Sequence, residues 1–119
     1  MTVVVADTSP LNYLVLIGEV GILPRMYGNV VIPSEVFAEL TDRGAPIEVS
    51  RWVQARPGWL EVRAVRGEQN DPALQQIDSG ERAAILLAEE QPNGLLLIDN
   101  AAGRAEATRR GISNTERSG

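Results

Sequence analysis

Three short apolar runs, each free of polar residues, constrain the fold of this chain most strongly. They are Val3–Ala6, residues 30–32 and residues 95–98, and the first and last are followed directly by Asp7 and Asp99. Strands that are apolar on both faces are typical of a parallel sheet covered by helices on both sides. Parallel strands need long crossover connections, which are usually helical. The pattern therefore predicts an α/β protein with Val3–Ala6 as its central strand.

The segments between these runs carry helix signals. A Thr-Ser-Pro sequence at 8–10 supplies a cap and a first-turn proline for a helix over 11–17. Apolar residues recur at helical spacing over 34–42, and 81–91 is apolar nearly all round. Residues 59–65 alternate apolar and polar side chains, which predicts an edge strand. Further helical segments are predicted at 22–27, 46–54, 73–77 and 101–110.

Composition limits the chemistry that is available. The chain has 119 residues, 44% of them hydrophobic, which suits a single domain. It has no histidine or cysteine, and all 11 of its basic residues are arginine. Imidazole bases, thiolate nucleophiles, disulfides, Schiff-base lysines and the usual zinc sites are therefore excluded. A net charge of -5 argues against a broadly basic surface. Among catalytic side chains, these absences leave carboxylate chemistry, with or without a hard metal ion.

The N-terminal segment does not resemble a targeting signal. It has no basic region, and its apolar run is interrupted by Asp7. No stretch approaches the roughly 18 apolar residues that a membrane span needs. We therefore expect a cytoplasmic protein without membrane contact.

Two aspartates follow strands of the predicted sheet. Ligands of open parallel sheets bind in the crevice beyond the carboxyl ends of the strands, which is where Asp7 and Asp99 fall. For Asp7 the capping role suits Thr8 or Ser9 better. Either Asp99 or Asn100 suits the N-cap of the helix at 101, so capping is an alternative function for Asp99.

Two glutamates are further candidates, each with a structural alternative. Glu39 lies on the shoulder of the apolar stripe of the 34–42 helix, a position that also suits a solvated surface acid. Glu81 is the third helical residue after Asp78, so the pair forms a capping box on spacing alone. If these glutamates converge with the two aspartates, their mutual repulsion calls for a cation. Oxygen ligands suit Mg²⁺ or Mn²⁺, and such a site serves phosphodiester hydrolysis most directly.

Four motifs resemble the PIN-domain family, and within it the small prokaryotic proteins related to VapC-type toxins. They are Val-Val-Val-Ala-Asp-Thr-Ser-Pro-Leu at 3–11, Val-Ile-Pro-Ser-Glu-Val-Phe-Ala-Glu-Leu at 31–40, Asp-Ser-Gly-Glu-Arg-Ala-Ala-Ile at 78–85 and Leu-Leu-Leu-Ile-Asp-Asn at 95–100. The similarity covers about residues 3–112, with all four motifs in order. It implies a three-layer Rossmann-like fold whose mostly parallel sheet has the strand order 3-2-1-4-5.

The resemblance also implies a function. It points to a metal-dependent endoribonuclease that uses Mg²⁺ or Mn²⁺, with Asp7, Glu39, Glu81 and Asp99 as the catalytic and metal-binding acids. Thr8 or Ser9 would be the neighbouring hydroxyl that supports the site. The implied partners are an RNA substrate, an antitoxin protein that occupies the acidic groove, and a second copy in a homodimer.

The chain departs from the family pattern at its C-terminal end. Where the family continues past Gly111 with an apolar fifth strand, residues 113–119 are polar throughout. We therefore expect a truncated PIN-like domain over 1–112 and a polar tail over 113–119 that forms no regular fifth strand. Residues 95–98 would then be an exposed hydrophobic edge that favours self-association. The third acid is also a glutamate where many toxins have aspartate, although the nearest subgroup shares the glutamate.

An acidic protein must meet RNA phosphates locally. Arg82 and Arg104 follow the proposed site acids near helix starts, so we expect them to contact the substrate. The structural alternative is a solvated or salt-bridged arginine. The alternative function for the whole chain is a catalytically silent α/β module that binds a partner protein, which would suit the acidic charge and the polar C-terminal end.

Overall fold

The computed structural model describes residues 2–67 and 69–114 and contains one five-stranded, all-parallel sheet. The strands are β1 (Val3–Ala6), β2 (Val30–Pro33), β3 (Leu60–Arg63), β4 (Gly94–Leu97) and β5 (Ser113–Asn114). Their order is β3-β2-β1-β4-β5, so the predicted fold class and strand order are confirmed. The first apolar run of the sequence is the central strand, as predicted.

Within the described residues six α-helices connect the strands, and the bounds of each lie within three residues of the predicted ones. They are α1 (Thr8–Leu16), α2 (Ile22–Tyr27), α3 (Ser34–Leu40), α4 (Ile47–Ala55), α5 (Ser79–Glu89) and α6 (Ala101–Arg109). The segment predicted as a helical turn at 73–77 is a 3-10 turn over Pro72–Leu74. No helix within the described residues is long and apolar enough to cross a membrane.

The core lies in two layers, one on each face of the sheet. Val4 and Ala6 pack with side chains of α1 to α4 on one face, and Val5 packs with α5 and α6 on the other. Each buried Val, Leu or Ile contributes about 1.5–3 kcal/mol through burial. This double coverage is why β1 needs no polar residue until it reaches Asp7.

The prediction that the polar tail forms no fifth strand is wrong for its first two residues. Ser113 and Asn114 pair in parallel with Leu95 and Leu96 of β4. Strand pairing uses backbone groups, and Ile112 anchors the segment because its side chain is buried in the core. Gly111, with φ 77°, turns the chain from α6 back to the sheet edge. β4 is therefore paired on both sides, and the exposed edge is absent there. Residues 115–119 of the predicted tail lie outside the described residues.

One arginine links three parts of the fold at the end of α6. The Arg110 side chain is 8% exposed and contacts Asp71 (2.5 Å), Glu89 (2.8 Å) and Glu106 (2.7 Å). Arg110 lowers the pKa of the Asp71 carboxyl below its usual range by hydrogen bonding to it. This cluster fastens the connection between β3 and α5 onto α6.

Candidate active site

Asp7 is a buried carboxylic acid with an unsatisfied oxygen. The residue follows β1, is 2% exposed, and makes no side-chain cap for α1. Its Oδ1 atom is buried and has no hydrogen-bond partner within the described part of the chain. Burial raises the pKa of Asp7 to about 7; the backbone amide of Thr8 opposes this rise, and the charges of Asp78 and Glu39 add to it. Burial, an unsatisfied oxygen and a raised pKa together make Asp7 a candidate functional residue.

Glu39 is fixed by two other elements rather than being a solvated surface acid. The Thr8 hydroxyl, at the start of α1, donates to Oε1 at 2.5 Å. The Gly80 backbone N–H, in the first turn of α5, donates to Oε2 at 3.0 Å. The side chain of Glu39 thus joins α3 to both α1 and α5 on the same side of the sheet edge as Asp7. Thr8 is the hydroxyl that contacts a predicted site acid, whereas Ser9 is exposed.

Glu81 combines a capping role with a position among the acids. Its backbone N–H donates to Asp78 Oδ1 at 3.0 Å, which is one half of the predicted capping box. Its carboxyl has a pKa raised to about 8, through burial, through a hydrogen bond with Asp78, and through the charges of Asp78, Asp7 and Glu39. The carboxyl of Glu81 therefore belongs to the acidic cluster formed by Asp7, Glu39, Asp78 and Glu81.

Asp99 lies at the same sheet edge but is exposed. The Asp7 N–H donates to the Leu97 carbonyl at 3.0 Å, so the chain segments leading into Asp99 and away from β1 run side by side. Of the two candidate caps for α6, the structure uses Asn100, whose Oδ1 accepts from the Gly103 N–H at 3.0 Å. The metal-binding role of Asp99 stays a prediction.

The two candidate substrate arginines both contact backbone carbonyls. Arg82 donates to the carbonyls of Leu74 (3.2 Å) and Ile77 (3.1 Å), which holds the 3-10 turn against α5. Arg104 donates through Nη1 to the Asp99 carbonyl at 2.8 Å. These bonds give both side chains a structural role, and their contact with RNA phosphates stays a prediction.

Sequence reasoning missed two residues of the site. Asp78 was assigned only as a cap, yet its charge raises the pKa of both Asp7 and Glu81. The capping-box spacing already indicated this, because it places the carboxyls of Asp78 and Glu81 together at the start of α5. Gly80 was passed over, although glycine is among the residues that favour a helix least.

The donor set suits a divalent cation held partly through water. Among residues 2–67 and 69–114, no three acidic side chains form a ready-made cage for a metal ion. Mg²⁺, however, is usually held by only one or two carboxylates and keeps several waters. A nearby cation would give the unpartnered oxygen of Asp7 a partner. Its positive charge would also lower the raised pKa values of Asp7 and Glu81. Asp7 and Glu81 are therefore the residues that fit it best.

An open groove of about 550 Å³ adjoins the acidic cluster and shares Glu39 with it, and Thr8 and Ser79 line the groove beside that residue. Asn12 of α1 and Asp42, just beyond α3, line its other side. The groove leaves the Glu39 side of the cluster accessible from solvent.

Comparison with known proteins identifies the family. The family model DUF3368, described as a PIN domain, matches residues 3–115. The chain is a PIN domain. The predicted family is therefore confirmed. PIN domains are generally nucleases that typically use divalent metal ions, so the match supports a nuclease family for this chain.

A solved structure shares the PIN fold. It is a PilT N-terminus domain protein from the hyperthermophilic archaeon Sulfolobus solfataricus P2, with a TM-score of 0.63 and 18% sequence identity. The alignment covers 97% of this chain and 86% of that one. At this identity the likeness shows a common fold. A search of curated proteins found no match.

Proposed function

We propose that this PIN domain is a metal-dependent endoribonuclease that hydrolyses RNA phosphodiester bonds at the acidic edge of its sheet. The observation that carries the proposal is Asp7, a buried carboxyl with an unpartnered oxygen in the midst of other acids. A carboxyl in that state weakens the fold unless a ligand uses it. Glu39, Glu81 and Asp99 complete the proposed set of site acids.

In this scheme the protein's own residues hold the metal ion, orient the site acids and attract the RNA. Asp7 and Glu81 would hold the ion, and when bound, Mg²⁺ or Mn²⁺ activates a water molecule and offsets charge on the scissile phosphate. Thr8 keeps Glu39 in a fixed orientation through its hydroxyl. Because the protein has a net charge of -5, attraction of RNA has to come from local groups, for which Arg82 and Arg104 are the candidates.

We further propose that the protein acts in the cytoplasm as the toxin of a toxin–antitoxin pair. The support is the likeness of its four motifs, in order, to small VapC-like proteins. The antitoxin would cover the acidic groove, and the toxin would pair into homodimers. A short upstream gene that encodes a DNA-binding protein would support this assignment.

The activity is tested with purified protein on a structured RNA, with Mg²⁺ or Mn²⁺ added and then removed by EDTA. We expect cleavage that depends on the metal and falls at least about 100-fold in Asp7→Asn. Glu19→Gln is the matched control, because Glu19 is an exposed acid between α1 and α2 that belongs neither to the acidic cluster nor to the lining of the groove. Cleavage that survives both EDTA and Asp7→Asn would reveal a contaminant. A pure protein without activity under every divalent ion would favour the partner-binding alternative.

A further inference from the structure

Gly80 lies directly against the carboxyl group of Glu39. The three atoms nearest to a Cβ placed at position 80 all belong to the Glu39 carboxyl group. The Cβ would lie 2.7 Å from both Cδ and Oε2 and closer still to Oε1. Real Cβ atoms essentially never approach other heavy atoms this closely. Any side chain at position 80 would therefore displace the Glu39 carboxyl.

The backbone gives no other reason for a glycine here. Gly80 is not among the described glycines with positive φ, which are Gly18, Gly28 and Gly111. It is the second residue of α5, where glycine is among the poorest helix formers. The residue is thus unfavourable for its own helix and useful to a side chain on another helix.

We infer that Gly80 is a positioning residue whose missing side chain is size-matched to the glutamate at position 39. The glycine makes room for the longer acid to reach α5, where the Gly80 N–H holds Oε2 while Thr8 holds Oε1. An alanine at 80 would suit only a shorter acid at 39. The inference rests on the proposed function in that Glu39 is taken as a site acid.

A second glycine faces the other glutamate. A Cβ at Gly103, in the first turn of α6, would lie 3.0 Å from Glu81 Oε2. It would also strike the core side chain of Ile98 at 2.5 Å from Cδ1. A substitution at Gly103 would therefore disturb the core as well. Gly80 is the cleaner site for a test, because the three atoms nearest to its Cβ position all belong to the Glu39 carboxyl group.

The test is a double-mutant cycle of Gly80→Ala and Glu39→Asp, read by Mn²⁺ binding in calorimetry and by thermal unfolding. We expect Gly80→Ala to weaken Mn²⁺ binding about tenfold when residue 39 is glutamate, and less than about twofold in the Glu39→Asp background. Its unfolding temperature should be equal to or above that of the wild type. Gly21→Ala is the matched control, because a Cβ at Gly21 meets nothing within 4 Å.

A readout that needs no metal completes the design. Amides in the first turn of a helix have no partner within the helix, so hydrogen exchange at residue 80 reports its bond to Glu39. We expect protection of that amide in the wild type and its loss in Gly80→Ala.

Equal weakening of Mn²⁺ binding in both backgrounds, unchanged binding in Gly80→Ala, or retained amide protection would each overturn the inference. Size matching would stand and the ribonuclease proposal would fail if the cycle behaves as expected but no RNA is cleaved.

Discussion

Replacing Asp7 with asparagine should stabilise the metal-free protein while it abolishes cleavage. The native pKa of Asp7 is raised from 3.8 to about 7, chiefly by burial. At a pH between these two pKa values, Asp7 keeps its proton in the folded protein and has released it in the unfolded chain. The free energy of unfolding therefore falls as the pH rises through this range, at up to about 1.4 kcal/mol per pH unit.

The size of the effect follows from the shift. A rise of about three pKa units corresponds to roughly 4 kcal/mol of lost stability once Asp7 is ionised in both states. Asparagine has no charge to desolvate, so the variant escapes this loss. The stability gap between Asp7→Asn and wild type should widen by about 2.5 kcal/mol from pH 5 to pH 8. Glu81 also has a raised pKa and contributes a slope of the same sign in both proteins.

The assay is urea unfolding in EDTA at pH 5, 6, 7 and 8, with the exposed-acid variant Glu19→Gln measured alongside. Added Mg²⁺ at pH 8 should then stabilise the wild type and leave Asp7→Asn unaffected, because only the native wild-type site binds the ion. A gap that stays constant with pH, or that narrows toward pH 8, would refute the assignment of Asp7 as a buried acid with a raised pKa.

Three further outcomes are expected. Arg110→Met should lower the free energy of unfolding by about 2 kcal/mol, because it leaves Asp71, Glu89 and Glu106 without their shared partner. Arg109→Met, at a side chain 62% exposed, should have a clearly smaller effect in the same denaturation assay. Thr8→Val should reduce RNA cleavage about tenfold by freeing the Glu39 carboxyl, and Thr8→Ser should restore it; equal rates in both would contradict the role of the hydroxyl. Ile112→Ala should cost roughly 2–4 kcal/mol and increase amide exchange in β5, and unchanged exchange would show that pairing alone holds that strand.

Most of the sheet was predictable because its strands are marked by local composition. A run of four apolar residues that ends in an acid identifies β1 without reference to the rest of the chain. β5 carries no such mark, since its two polar residues are held by backbone pairing and by the neighbouring Ile112. Side-chain patterns cannot reveal a strand that buries no side chain of its own.

The candidate site was predictable in position and less so in its contacts. Asp7 follows from the rule that ligands bind beyond the carboxyl ends of strands. The partners of Glu39 lie 31 and 41 residues away in the sequence, at Thr8 and Gly80, and no local pattern encodes contacts at that separation. Gly80 is the hardest to foresee, because its contribution is the space left by an absent side chain.

The central place of β1 affects the order in which the protein can become functional during synthesis. β1 pairs with β2 at residues 30–31 but receives its other neighbour only when Gly94–Leu97 has been made. Closing so distant a pair costs chain entropy, and such parallel pairings form slowly. Asp7 is therefore translated early and meets Glu81 and Asp99 late. A growing chain cannot assemble the acidic edge until β4 is available, so the acids on either side of this pairing stay apart on the ribosome until that strand has been made.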